Sequence, residues 1–470
     1  MTMGAVKTFA ERGSRPQAGP ASVIPGCSCP GEDGSTTSGA CAYSEAVAVL
    51  SPIAGALHII HGTRGCASYS RSISEFTSCG SAVYKDPMYT DSAYKDCFCT
   101  DIGELDVIFG GEKKLACAIR ELVAAHKPAA VFVYPTCLVE VIGDDLVAVC
   151  RSASRELKVP VLPVVSSGRG GGAESACQTL LRLMGTRRHK AKSPYAVNIL
   201  GDDNIPGDLW PIRSCLEELG IEVISTLTGD SSVEEIQRAH HAGLNLVQCS
   251  DAMISLARGM EDAYGIPYRR VDFMGIEMIS FALTTVAEFF GDPCLIGEAE
   301  RMTSLESRRI RRQLERYRIR LAGKRAAIYI KGASKAVSLI KASQDLGLEL
   351  AIVGCHSGDW IERQKVSNAI GSEVVTMDEA AYPGLASLLV GKAVDILIGG
   401  CDGQFIAHKL GIPFCNVGQG RTATFEGFDG MVNFARAVDA TANSPVWKLT
   451  LSRPRATQIA SSQAANTDCI

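Results

Sequence analysis

Cysteine is the residue whose number and placement in this chain most directly suggest chemistry. The sequence has 18 cysteines. In a reducing compartment such thiols ligate metals, carry out redox work or pack as small buried residues. Cys41, Cys66 and Cys137 each open or close a segment with special local chemistry. Backbone N–H groups favour a thiolate at a strand end or helix start, and soft sulfur suits iron–sulfur clusters. We therefore treat these three as candidate cluster ligands; none has the C-x-x-C spacing of a zinc ribbon.

The segments around these three cysteines differ in predicted structure. Cys41 follows Gly39 and begins the apolar run CAYSEAVAVLSPIAGALHII, which predicts a helix. Cys66 lies in HGTRGCASYSR, flanked by Gly62 and Gly65, where the backbone can come close to a bulky ligand. Cys137 ends the predicted strand VFVYPTC.

Further cysteines follow other predicted strands. Cys249 ends the run NLVQC before a helical pattern and is the second candidate anchor for a cluster. Candidates for an additional ligand are the residues at three more predicted strand ends: Cys401, Cys415 and the neighbours Cys355 and His356. The alternative for each of these residues is that it lies near the cluster without binding it.

Two close cysteine pairs and two histidines carry weaker signals. Cys27 with Cys29, and Cys97 with Cys99, have C-x-C spacing, which is strained for one metal. Each pair is either a source of an extra ligand or a pair of exposed thiols. His58 and His61 share the predicted helix end, and packing or hydrogen bonding is the expected role of both.

An alternation of apolar strands, glycine-bearing turns and helical patterns begins near residue 41. Such alternation predicts parallel sheets covered by helices on both faces. The predicted fold class is therefore α/β with three Rossmann-like domains. Ligands of open α/β sheets bind outside the carboxyl ends of the strands, which is where the cysteines fall. We predict an extended N-terminal arm over 1–40 and three domains over 41–190, 191–310 and 311–470.

Composition excludes several classes of function. The net charge is −4 and charged residues make up 21%, so no basic field for nucleic acid is expected. The first residues, MTMGAVKTFAERGSRPQAG, lack the apolar core of a signal peptide, and no run approaches the length of a membrane span. We expect a cytoplasmic protein without membrane contact. No G-x-x-x-x-G-K-[ST] sequence occurs, so ATP is not expected to bind this chain.

Three segments resemble the nitrogenase component 1 family: GACAYSEAVAVLSPIAGALHIIHGTRGCASYSR, TDIGELDVIFGGEKKL and VYPTCLVEVIGDD. The resemblance spans roughly residues 38–440 and implies the nitrogenase component 1 fold. It implies that Cys41, Cys66 and Cys137 hold an α-type subunit's share of an interface cluster, either a P-cluster-like 8Fe-7S cluster or a 4Fe-4S cluster. It also implies a β-type partner in an α2β2 assembly and a separate ATP-dependent iron protein that binds MgATP.

The same resemblance implies a second cluster, in the region after the first domain. Segment 245–277 resembles the part of the family whose cysteine ligates the active-site cofactor, so Cys249 is expected to bind the terminal iron of a cage. The resemblance assigns domain 41–190 to the interface cluster, 191–310 to the cofactor cysteine and 311–470 to closing the cofactor site. The implied cofactor pocket also includes Gly170, Gly171, Gly172, Lys335, Gln419 and Arg421.

The sequence departs from molybdenum nitrogenase at two places. A histidine near the C-terminal FDG motif holds the heterometal there, whereas 412–430 of this chain contains no histidine. The glycine-rich run SSGRGGGAES stands where nitrogenase supplies a histidine over the reactive face. We therefore expect an all-iron cage of the 8Fe-9S-C type, without a heterometal.

Three functional hypotheses remain. The first, which the segments YSR and FGGEKKL favour, is a nitrogenase-like reductase that cleaves C–S bonds of small methylthio-alkanes with low-potential electrons. The alternative is the α-type scaffold subunit for assembly of the nitrogenase iron–molybdenum cofactor, which the gapless stretch 412–430 favours. The third is a cluster-free α/β protein with buried thiols, which leaves the cysteine placement unexplained. We adopt the first as the working prediction.

Overall fold

The computed structural model describes residues 41–68, 98–165, 171–185, 194–201, 204, 206–248, 251–356, 366, 368–370, 375–377, 384–418 and 421–447. The elements below all lie in the unit Ala42–Ile470. The predicted arm 1–40 lies outside the described residues. Several residues singled out from the sequence lie outside them as well: Cys27, Cys29, Cys97, Gly170, Cys249 and Gln419.

The first sheet is parallel and has the strand order β2-β1-β3-β4. Its strands are β1 (Ala56–His61), β2 (Phe98–Cys99), β3 (Ala130–Pro135) and β4 (Val161–Pro163). Every residue of β1 and β3 is buried, as expected for strands covered on both faces. The helices of this region are α1 (Ala42–Leu50), α2 (Glu104–Phe109), α3 (Glu112–His126), α4 (Cys137–Ile142), α5 (Leu146–Leu157) and α6 (Gly172–Leu183).

The apolar run that follows Cys41 is not one helix, as the sequence had suggested. Helix α1 ends at Leu50, and the second half of the run is strand β1. Pro52 has no N–H to continue the helix, and Gly55 turns the chain with a φ of 78°. His58 and His61 therefore lie on a buried strand rather than at a helix end.

The second sheet is also parallel, with the order β6-β5-β7-β8. Its strands are β5 (Ala196–Leu200), β6 (Glu222–Leu227), β7 (Leu244–Gln248) and β8 (Tyr268–Val271). Its helices are α7 (Leu209–Glu218), α8 (Val233–Arg238), α9 (Asp251–Tyr264) and α10 (Ile276–Phe290).

The third sheet is parallel with the order β11-β10-β9-β12-β13. Its strands are β9 (Arg325–Lys331), β10 (Glu349–His356), β11 (Val375–Met377), β12 (Ile396–Gly399) and β13 (Phe414–Asn416). Its helices are α12 (Ala333–Asp345), α13 (Leu385–Gly391), α14 (Cys401–Leu410) and α15 (Gly427–Ala442).

A long helix, α11 (Pro293–Leu321), connects the second sheet to the third. The Asp292 side chain caps it by accepting a hydrogen bond from the Cys294 N–H at 2.8 Å, and Pro293 occupies the first turn. Its apolar face packs against α10 and α15. As a result one hydrophobic core runs through the second and third sheets, whereas the first sheet has a core of its own.

The predicted fold class, α/β with three parallel sheets, is confirmed. The domain limits 190/191 and 310/311 stay predictions, and the second of them falls inside α11. Among the described residues, no helix has the length and apolar character needed to cross a bilayer.

Candidate functional site

Two of the predicted cluster cysteines lie at neighbouring strand ends of the first sheet. Strand β1 pairs with β3 so that His61 stands opposite Pro135. The chain after β1 leads to Cys66 in a short helical segment, and the chain after β3 leads to Cys137 at the start of α4. The Cys66 side chain is partly exposed and that of Cys137 is exposed, so both thiols are accessible at this carboxyl edge.

Hydrogen bonds hold the Cys66 segment in place. The Cys66 N–H donates to the Thr63 carbonyl at 3.1 Å, and the Thr63 hydroxyl lies 3.6 Å from the Cys66 sulfur. The Tyr43 hydroxyl of α1 donates to the Cys66 carbonyl at 2.8 Å. Cys41 directly precedes α1 and is partly exposed.

The glycines that flank Cys66 have different surroundings. A Cβ on Gly62 would lie 2.3 Å from Thr136 Cγ2, so this glycine allows the ends of β1 and β3 to approach each other. A Cβ on Gly65 would meet only Thr63 Oγ1, at 3.9 Å. Close approach of the Thr136 side chain therefore explains Gly62, whereas Gly65 has open space beside it.

Cys99 lies at the same edge but is already engaged within the protein. Its thiol donates to the Gly62 carbonyl at 3.3 Å, and its sulfur accepts from the Asp101 N–H at 3.4 Å. Burial raises the pKa of Cys99, although the Asp101 hydrogen bond opposes that shift. A neutral thiol with two partners is better suited to supporting the Cys66 turn than to binding metal.

The two histidines of β1 make the structural contacts expected of packing residues. His58 Nδ1 lies 2.8 Å from the Tyr134 hydroxyl, and burial lowers its pKa to about 4. His61 contacts Thr100 Oγ1 at 2.9 Å and Asp144 Oδ2 at 3.1 Å. Burial lowers the pKa of His61, and the Asp144 carboxylate opposes that shift.

An exposed apolar surface lies close to Cys137. We call it the α2–α4 patch: Leu105, Ile108 and Phe109 of α2, exposed by 71%, 70% and 81%, and Val141 of α4, exposed by 86%. Helix α2 has no buried residue, so the core does not require its apolar side chains. Contiguous exposed apolar side chains of this kind mark protein–protein contact sites.

A second group of polar side chains lies between the second and third sheets. We call Asp272, Lys335 and Glu426 the acid seam. Glu426 caps α15 and is fully buried, and its Oε1 accepts a hydrogen bond from the Lys335 ammonium. Its backbone forms a bridge with Met274, two residues after Asp272.

Two carboxylate oxygens of the acid seam have no partner among the described residues: Glu426 Oε2 and Asp272 Oδ2. Asp272 Oδ1 accepts from the Met274 N–H at 2.8 Å. Burial raises the pKa of Glu426 to about 8; the carboxylates of Asp272 and Asp208 add to this, and Lys335 opposes it. Buried carboxylate oxygens without donors are unfavourable and indicate a place for a bound proton or metal.

The residue directly before Cys249 also has buried polar atoms without a partner among the described residues. Gln248 ends β7 and pairs in register with Val271, the residue before Asp272. Its amide is buried, and neither the oxygen nor the nitrogen has a partner in the described part of the chain. Two adjacent strand ends of the second sheet thus carry buried polar atoms that no described residue pairs with.

Arg421, predicted to stand beside an anionic cluster, has a different partner. Its guanidinium binds the Asp208 carboxylate, with Nη2 2.6 Å from Oδ2. The Thr424 hydroxyl and the Phe425 N–H also donate to Asp208 Oδ1, at 2.7 and 3.3 Å. Arg421 is therefore neutralised by Asp208 and fixes the segment that leads to Glu426. Lys335, the other described basic residue of the predicted pocket, pairs with the buried Glu426.

The remaining predicted ligands and pocket residues are placed as follows. Cys415 on β13 is buried, and burial raises its pKa to about 12, so its thiol stays neutral. Cys355 is partly buried on β10, which ends at His356, and Cys401 begins α14. Side-chain contacts of His356 and Cys401 lie outside the described part of the structure.

The two described glycines of the predicted pocket loop pack against α1. A Cβ on Gly172 would lie 1.7 Å from the Ala42 carbonyl oxygen, and the Gly172 N–H donates to Glu45 Oε2 at 2.8 Å. A Cβ on Gly171 would lie 3.0 Å from the same Glu45 oxygen. This packing of α6 on α1 accounts for both glycines without a ligand.

The described residues hold no ready-made site for a single metal ion. No group of three or more His, Cys, Asp or Glu side chains comes together among them in a metal-binding arrangement. Sequence reasoning missed Glu426, Asp272 and Gln248. The available signals were an acid directly before the Gly-Phe-Asp-Gly motif and two polar residues at the ends of apolar strands.

Comparison with known proteins agrees with this architecture. The family model described as "Nitrogenase component 1 type Oxidoreductase" matches residues 41–443. The nitrogenase iron-molybdenum cofactor biosynthesis protein NifE of Methanosarcina barkeri is 41% identical, over 96% of this chain and 99% of that protein. The NifE protein of Clostridium pasteurianum is 40% identical, over 90% of this chain and 91% of its own length.

The fold also matches a solved structure. A chain of "Nitrogenase Cp1 at pH 6.5" superposes with a TM-score of 0.76 and 28% identity, over 88% of this chain and 90% of that one. The family model, the relatives and the superposition cover the same three-sheet region. The chain belongs to the nitrogenase component 1 family.

Proposed function

We propose that this chain is the α-type subunit of a cofactor-assembly scaffold, which holds an iron–sulfur cage as cargo before its transfer to another protein. The relatives compared above support this over the C–S bond reductase that the sequence alone had favoured, because they are named as cofactor biosynthesis proteins. Their similarity extends over nearly the whole chain, so it includes the region of the acid seam.

The observation that carries the proposal is the buried, half-paired carboxylate of Glu426. It directly precedes the Gly-Phe-Asp-Gly motif, in a stretch that has no histidine. Its free Oε2 is available to a metal once Lys335 satisfies the other oxygen. A carboxylate oxygen is a harder ligand than sulfur and binds iron of a sulfide cage less strongly than a thiolate does. Such a ligand suits cargo that must be released.

The acid seam fits the end of a cage better than a free ion. A free divalent ion needs several protein ligands, and the described residues do not assemble three. An iron–sulfur cage supplies its own sulfides and requires few protein ligands. We therefore assign one end of the cage to Cys249 and the other to Glu426, with Asp272 and Gln248 as polar neighbours.

The interface cluster is assigned to Cys41, Cys66 and Cys137. Three thiolates leave a large cluster partly coordinated, so the remaining ligands must come from a β-type partner. When bound, this cluster supplies one-electron transfer. Cys66 and Cys137 lie at adjacent strand ends and are open to the β-type partner, with which we expect an α2β2 assembly.

The α2–α4 patch offers a separate apolar contact area beside these cysteines. We assign this patch to the iron protein.

A nitrogenase-like methylthio-alkane reductase is the second candidate. It is favoured by the segment FGGEKKL, which resembles catalytic subunits and begins at Phe109 of the exposed α2–α4 patch. Repeated turnover requires an accessible surface for an electron donor, and this patch provides one.

One anaerobic experiment separates the two candidates. The chain is co-purified with its β-type partner, loaded with iron and sulfide, and divided between two assays. In the first it is mixed with cofactor-less nitrogenase, and in the second with iron protein, MgATP, reductant and dimethyl sulfide. Activation of the nitrogenase without methanethiol or methane formation supports the scaffold. Many turnovers of dimethyl sulfide, with no activation, would replace it with the reductase.

A further inference from the structure

A cavity of about 470 Å³ lies at the outer edge of the first sheet. Its apolar part is formed by Val147 of α5 and by Val161 and Pro163 of β4. Since β4 is an edge strand of this sheet, no further strand within the described ranges covers the cavity on that side. Its volume falls within the range of small-molecule sites.

Three arginines line the same cavity: Arg151 and Arg155 of α5 and Arg182 of α6. No acidic side chain of the described residues lines it. None of the three guanidinium groups has a hydrogen bond or an ion pair with any residue that the structure describes. By contrast, Arg120 on the neighbouring α3 pairs with Glu156 at 2.9 Å, so acidic partners exist nearby but do not face the cavity.

A bound anion would offset the repulsion among these three positive charges. Arg151 and Arg155 are four residues apart on one helix, a spacing at which like charges repel. Arg182 adds a third positive charge from another helix, although the whole chain has a net charge of −4. Each guanidinium presents several N–H donors in a planar fork, the geometry that binds phosphate and carboxylate oxygens.

We propose that this cavity binds a compact polyanion, a small molecule with two or more phosphate or carboxylate groups, through Arg151, Arg155 and Arg182. Multiple anionic oxygens are the chemistry that phosphate and carboxylate ligands share. The apolar part formed by Val147, Val161 and Pro163 accommodates the carbon or bridging atoms between the charged groups. The site uses none of the residues assigned to either cluster and goes beyond the proposed function.

Calorimetric titration of the full chain, co-purified with its β-type partner, tests this site. Inorganic pyrophosphate and citrate are titrated separately, with sodium chloride at matched ionic strength as the blank. The variants are Arg151→Gln with Arg155→Gln, and Arg182→Gln; the matched control is Arg120→Gln. All four arginines lie on the surface, and circular dichroism checks that each variant keeps its fold.

We expect one site per chain for at least one of the two anions. Binding should be at least about tenfold weaker in the cavity variants, since a charge-assisted hydrogen bond is lost, and unchanged in Arg120→Gln. The anion that saturates the site identifies the chemical class of the ligand, phosphate or carboxylate. Failure of both anions to bind the unmodified complex, or equal weakening in Arg120→Gln, would overturn the proposal.

Discussion

Gly62 and Thr136 approach each other so closely that a Cβ on the glycine would lie 2.3 Å from Thr136 Cγ2 and 2.5 Å from its Oγ1. The contact joins the carboxyl ends of β1 and β3, and the Thr136 N–H donates to the His61 carbonyl at 3.1 Å beside it. The positions of Cys66 and Cys137 therefore depend on the absence of a side chain at residue 62.

Gly62→Ala should destabilise the chain by about 1–3 kcal/mol, the range for an added methyl group in a packed site. Denaturant unfolding of the full chain measures the loss. Gly65→Ala is the matched control, because a Cβ there meets only Thr63 Oγ1 at 3.9 Å. Equal unfolding free energies for the two variants would contradict the structure at this edge.

Asp208→Asn should cost about 3–5 kcal/mol, because it leaves the largely buried Arg421 guanidinium without its counter-charge. The measurement is the free energy of unfolding at neutral pH. Asp429→Asn serves as the control, since Asp429 is 71% exposed and its ion pair with Arg309 should contribute less than about 1 kcal/mol. A loss at Asp208 no larger than that at Asp429 would show that the pair does not fix the Glu426 segment.

Acid should destabilise the fold through His58. Burial lowers its pKa from 6.5 to about 4, so between these values the unfolded chain binds a proton that the folded chain excludes. The stability present above pH 6.5 should therefore fall as the pH drops toward 4, by on the order of 3 kcal/mol. Unfolding free energies at pH 7 and pH 5 should differ less in His58→Phe than in the unmodified chain. His408→Gln, at an exposed position, should keep the original difference.

Glu426→Gln should remove from the loaded complex the iron that belongs to the cage. The iron of the interface cluster should remain. Glutamine keeps the shape but removes the charge that would bind metal. Cys249→Ala should have the same effect, whereas Cys66→Ala should remove interface-cluster iron instead. Iron analysis and electron paramagnetic resonance of the reduced complex report the two clusters separately. If Glu426→Gln keeps full cage iron and an unchanged spectrum, the carboxylate is not a ligand.

Phe109→Asp should weaken binding of the iron protein, because it places a charge in the apolar α2–α4 patch. Helix α2 has no buried residue, so the fold of the chain should be unaffected. Because we assign the patch to the iron protein, the α2β2 assembly should still form. Co-sedimentation with the iron protein measures binding, and gel filtration measures assembly. Loss of α2β2 with iron-protein binding retained would assign the patch to the subunit interface instead.

The architecture was predictable from the sequence because each element depends on local patterns. Apolar runs such as AVFVYP, followed by turn residues and helical spacing, predict buried parallel strands, and the three sheets confirm this. The helix predicted after Cys41 was wrong in its second half. There an apolar run of ten residues fits a helix and a buried strand equally well, and Pro52 and Gly55 decide between them.

The side-chain partners were less predictable, because they join residues far apart in sequence. Arg421 pairs with Asp208 across 213 positions and Lys335 with Glu426 across 91, so no local pattern reveals either. For the same reason Glu426 was overlooked in favour of cysteines at strand ends. A cysteine at a strand end is not always a ligand: the Cys415 thiol is buried in the core.

The hydrophobic core of the first sheet bears on how the proposed clusters would be lost. The core of the first sheet is separate from the core that the second and third sheets share. A ligand stabilises only the part of a protein whose unfolding releases it. Loss of a cluster bound at the first sheet would then destabilise the core of that sheet and not the core that the second and third sheets share. We therefore expect a chain that has lost the proposed interface cluster to retain the proposed cage.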